Sequence, residues 1–103
     1  MPEISEEMAK LIDHLEGKDF NSRLEGLLEK EYGRRLTKYQ YMDRFFQKKH
    51  GMTFEEFERR NVVKQLNYSF EVESDSNEWE LALDGVASME RLLAELTRIK
   101  HGH

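Results

Sequence analysis

A chain of 103 residues has room for one domain and a modest hydrophobic core. Charged residues (36%) nearly match hydrophobic ones (38%), so that core must be thin, although six phenylalanines, four tyrosines and a tryptophan argue against wholesale disorder. The absence of cysteine excludes a disulfide framework and thiolate metal sites. The acidic opening MPEISEEMAK and the lack of a long apolar run argue against a signal peptide and a membrane span, so a cytoplasmic protein is expected.

In chain order, Ser5 is a plausible N-cap and Met8, Leu11, Ile12 and Leu15 follow at helical spacing, predicting an N-terminal helix within 1–17 that Gly17 ends. A second apolar stripe runs from Phe20 through Leu24, Leu27, Leu28, Tyr32, Leu36, Tyr39, Met42 and Phe45 to Phe46. Gly33 lies inside it, followed by Thr37-x-x-Gln40, so the spacing favours two helices, or one bent near Gly33, over a straight rod. The segment Lys30 to Gln40 also matches Lys48 to Glu58 in residue type, eighteen positions on, which suits two helix–turn–helix units across 19–66.

The second of these units is the better defined. Gly51 supplies a left-handed residue to stop one helix, Thr53 and Glu56 form a capping box for the next, and Met52 and Phe57 are placed for a hydrophobic staple. Beyond Leu66, Tyr68, Phe70 and Val72 alternate with Ser69, Glu71 and Glu73, which predicts a short extended segment near 68–73 in an acidic link over 67–76. A lone strand cannot satisfy its own backbone, so it must pair with another subunit, pair with a partner, or serve as a connector. The cluster Ser74 to Asn77, with Asp75-x-x-Glu78 as a capping box, opens a last helix over 77–100. Its seam reads Trp79, Leu83, Val86, Glu90, Leu93 and Leu96, broadened by Ala82, Met89, Leu92 and Ile99, and is not a clean heptad. The expected fold is mainly α, a compact bundle of four to five helices in a single domain.

Charge is unevenly distributed. Seven acids and no lysine or arginine lie between Gln65 and Glu90, whereas seven bases face two acids between Lys30 and His50. Solvated helix faces account for such runs in most proteins. An acidic segment studded with Tyr68, Phe70, Val72 and Trp79 is also suited to a basic groove, with rings as anchors. The net charge of -5 argues against direct nucleic-acid binding. His14, His50, His101 and His103 have no metal-ligand spacing, Glu71, Glu73 and Asp75 lack the frame of a calcium loop, and no nucleophile sits in a recognisable turn. No catalytic residue, metal site or cofactor is assigned, and the chain reads as a non-enzyme.

The string KKHGMTFEEFE followed by YSFEVESDSNEWE resembles a pattern in small prokaryotic antitoxin-type proteins encoded beside toxin genes. That pattern joins an aromatic-Gly-Met-Ser/Thr-Phe-Glu-Glu-Phe turn to an acidic Trp-Glu segment, here His50 to Glu58 and Glu73 to Glu80, with His50 in place of the tyrosine. The likeness spans about Glu29 to Leu96 and transfers no catalytic residue. It implies a protein, expected to be dimeric, that neutralises a cognate toxin, frequently a nuclease. The expected contact set is Tyr68, Phe70, Glu71, Val72, Glu73, Asp75, Glu78, Trp79 and Glu80, with Trp79 as anchor and Tyr68, Phe70 and Val72 adding as a strand to the toxin's sheet edge. The alternatives are a structural homodimer with a merely hydrated acidic face, and a small ligand-binding domain using the acids around Asp75 with a divalent cation.

Overall fold

The computed structural model describes residues 3–102 and contains five helices: α1 (Glu6–Ile12), α2 (Phe20–His50), α3 (Phe54–Arg59), α4 (Val62–Gln65) and α5 (Phe70–His101). The mainly α class is as expected; the compact bundle is not. At a rise of 1.5 Å per residue, α2 and α5 are each roughly 45–50 Å long. The radius of gyration is 19.4 Å and the longest dimension 57 Å, against about 13 Å for the radius of a compact chain near this length. The molecule is an antiparallel helical hairpin, α2 against α5, closed at one end by α3 and α4.

The pairing is antiparallel because Glu29 meets Lys100, Tyr39 meets Gly85, Asp43 meets Trp79 and His50 meets Asp75. The inward positions of α5 are Val72, Asp75, Trp79, Ala82, Val86, Met89, Leu93 and Leu96, all buried or half-buried. Their spacing alternates three and four, a clean heptad seam. The expected seam shares Trp79, Val86, Leu93 and Leu96 with this one, with Ala82 and Met89 from its margins; Leu83 and Glu90 fall beside it, and the seam passes through Asp75, an acid that sequence rules place outside. On α2 the matching face carries Tyr32, Leu36, Tyr39, Asp43, Phe46 and His50. Its polar members face polar or indole partners on α5, and such pairs fix one register among several available to an apolar seam.

Gly33 does not break α2, which runs unbroken from its Asp19 N-cap to His50, so two separate helices are ruled out. The residues after Gly33 are good helix formers, and Tyr32, Leu36 and Tyr39 pack along one face, so tertiary contact outweighs a local cost of about 1 kcal/mol. The eighteen-residue repeat therefore has different fates in its two copies. At Gly51 the turn does form: φ is +68°, and the amides of Gly51 and Met52 both donate to the Gln47 carbonyl, at 2.8 and 3.2 Å. Thr53 Oγ1 then accepts the Glu56 amide at 3.2 Å, and Met52 packs on the core cluster that holds Phe57.

The extended segment near 68–73 is also corrected. No strand occurs among the described residues, and α5 begins at Phe70, seven residues earlier than expected. Ser69 is the cap, its Oγ accepting the Val72 amide at 3.3 Å, so Ser74 to Asn77 lie inside the helix. The alternation of Tyr68, Phe70 and Val72 coincides with a helix start rather than a pleat. At the other end, α1 stops at Asp13, before Gly17. None of its residues is buried. No helix among the described residues is long and apolar enough to cross a membrane.

Candidate interaction site around the start of α5

The closed end of the hairpin is built on Trp79, which is 0% exposed. Its ring is stacked on Phe46 and on His50, each with centroids 5.7 Å apart, and meets Phe54 and Phe57 at 5.1 and 5.2 Å. The indole Nε1–H donates to Asp43 Oδ1 at 2.8 Å, while Gln47 Nε2 donates to the other Asp43 oxygen at 2.9 Å. A buried indole thus has a charged acceptor, the usual requirement for tryptophan in a core.

One turn before Trp79, buried Asp75 receives two groups on the same oxygen: Lys49 Nζ at 2.7 Å and His50 Nε2 at 2.9 Å. Lys49 also reaches Glu71 at 3.1 Å. The bond to Asp75, then that to Glu71, holds the Lys49 ammonium above its ordinary pKa. Lys49 and His50 are the last residues of α2, where the negative end of the helix dipole favours a cation such as Lys49.

The nine expected contact residues consequently divide in two. Val72, Asp75 and Trp79 face the chain's own core and are unavailable to a partner while it is folded; as contact residues they are corrected. Trp79 is an anchor, but an internal one. Glu71 is exposed and engaged by Lys49. Tyr68, Phe70, Glu73, Glu78 and Glu80 are exposed, with Phe70 87% and Tyr68 57% accessible. Strand addition through Tyr68, Phe70 and Val72 loses its basis, since the segment is a turn followed by a helix.

What remains is a helical face. Phe70, Glu73, Asn77, Glu80, Leu81 and Asp84 fall within one arc of α5, opposite the seam, and all are exposed. Leu81 and Asp84 were not assigned from sequence, because the expected contact set was drawn around the extended link and stopped at Glu80, in the first turn of the expected last helix. Phe70 follows a strained turn: Asn67 and Tyr68 have φ of +56° and +53°. A left-handed backbone is uncommon for a bulky residue such as tyrosine. Tyr68 is held there by its amide, which donates to the Val63 carbonyl at 2.9 Å. It lines a surface groove of about 470 Å³ with Phe57, Asn61, Val62 and Lys64 among its neighbours.

No cluster of three or more candidate metal ligands occurs among the described residues. Asp75 and Glu71, the core of the cation-binding alternative, are tied to Lys49 and His50 instead. No protein-family model matches the chain, and neither the curated proteins nor the solved structures contain a match.

Proposed function

We propose that the chain is a non-enzymatic protein-binding module whose docking face is the outward side of the first four turns of α5. The observation that carries this is Phe70: a large ring left 87% exposed at the head of a helix, with Leu81 three turns along the same side and carboxylates between them. An apolar anchor framed by acids suits a partner with a basic groove, in the helix-in-groove mode rather than by strand addition. The sequence resemblance gives the partner its class, a basic toxin encoded beside this chain, which makes the role antitoxin-type neutralisation in the cytoplasm.

Self-association is part of the same proposal. Ile4 just before α1, Met8 and Leu11 on it, and Phe20, Leu27 and Leu28 near the start of α2 are all exposed, while the buried hydrophobic set among the described residues comprises only eight. An apolar end of this kind is completed by a second copy, giving a dimer whose α5 faces stay free.

The test is co-expression with the product of the neighbouring reading frame. Wild type is expected to form a complex and suppress toxicity, and Phe70→Ala to lose about 2 kcal/mol or more of binding. Glu73→Lys with Glu80→Lys should slow association. A complex indifferent to all three changes would remove the proposal.

A further inference from the structure

The opposite side of the molecule carries the reverse charge. On α2, Lys30, Lys38, Arg44 and Lys48 are exposed, and none has an ion-pair partner among the described residues. They fall in one arc, directly opposite the α5-facing seam, and span about 27 Å of helix. Arg34 lies in the same arc, held by Glu31 at 2.8 Å. Between the cations stand two exposed rings, Tyr41 at 64% and Phe45 at 51%, bordering a groove of about 490 Å³.

The geometry points to this face as a binding surface for single-stranded nucleic acid. Flexible cations at intervals of one to two helical turns follow a phosphate chain, and flat exposed rings offer stacking platforms for unpaired bases. A duplex would use the cations but leave the rings idle, because its bases are already stacked. Protein interfaces are depleted in lysine at their centres, whereas three of these four free cations are lysines.

The acidic face of a second copy is not the occupant. The basic side of α2 and the acidic side of α5 point in opposite directions, so pairing them would propagate head to tail without closing. The net charge of -5 does not prevent polyanion binding either. Two packed helices separate the faces by roughly 20 Å, more than twice the Debye length of about 8 Å at physiological salt. The overall negative charge, which in the sequence argued against nucleic acid, is thus screened from the side that matters.

The inference is independent of the α5 docking face, and its test uses other residues. Fluorescence anisotropy with a labelled oligouridylate of about twenty nucleotides should report binding at low salt, with a log–log salt slope of about −3 for four phosphates. Tyr41→Ala, at an exposed site, should weaken it at least five-fold, the low end for one stacked base. Arg44→Glu with Lys48→Glu should abolish it, and Glu80→Lys on the far face should leave it in place. Circular dichroism of each variant checks that the hairpin persists. The inference is overturned by absence of binding at low salt. It is overturned equally if Tyr41→Ala binds as wild type, or if polyglutamate displaces the RNA as well as unlabelled RNA does, since the face would then be a generic cation patch or a seat for an acidic protein.

Discussion

Replacing Trp79 by alanine separates a core tryptophan from a docking one. The indole is fully buried among Phe46, His50, Phe54 and Phe57, and its N–H is held by Asp43. Large-to-small changes at such sites cost about 3–5 kcal/mol, and the orphaned Asp43 oxygen places the loss at the upper end. A domain of this size has roughly 5–15 kcal/mol in total, so a third or more of its stability should disappear. Urea unfolding followed by far-UV circular dichroism should show the midpoint falling steeply, with the melting temperature lower by at least about 12 °C. Phe70→Ala is the matched control and should change stability by about 0.5 kcal/mol or less. If Trp79→Ala leaves the midpoint where it was, the indole is not in the core and the burial argument fails.

Three further outcomes follow from particular contacts. At Gly33 an added Cβ would meet nothing within 4 Å, whereas at Gly85 it would lie 2.5 Å from the Tyr39 ring. Gly33→Ala should therefore stabilise by up to about 1 kcal/mol through helix propensity, and Gly85→Ala should destabilise despite that gain because the seam is overfilled, which thermal melts of the two variants would read. The Lys49 pKa is raised in the folded state, so its contribution is complete below 10.5 and is lost as pH rises through the folded value; wild type should lose stability more steeply above pH 10.5 than Lys49→Met does. The Asp19 carboxyl is lowered, first by the Ser22 amide it caps, so its contribution is complete above 3.8 and is lost as pH falls below that; Asp19→Asn should flatten the acid limb of the same titration.

The joint at Gly51 was legible in the sequence because its determinants are local: one left-handed glycine and one capping threonine. The continuity of α2 was not, since it depends on long-range packing: the half-buried face of Tyr32, Leu36 and Tyr39 outweighs the local cost at Gly33. The start of α5 was misread for a related reason. Ser69 and the Ser74 to Asn77 cluster are competing caps, and nothing local chooses between them; burial of Val72 and the bonds from Lys49 and His50 to Asp75 favour the earlier one. With the helix capped at Ser69, Asp75 became an inward residue instead of a cap, and Trp79, expected both in the seam and as a partner's anchor, lies in the core alone. The charge partition was visible in composition, but that the two signs occupy opposite faces follows only from the antiparallel pairing.

Amide hydrogen exchange across residues 73–80 tests the central claim most directly, because a docking face on α5 exists only if that segment is already helix in the free protein. Protection of those amides comparable to that of 81–96 is the predicted result, beginning with Glu73, whose N–H donates to the Ser69 carbonyl at 3.0 Å. Rapid exchange through 73–77 with protection starting only near Trp79 would restore the extended acidic link and contradict the hairpin described above.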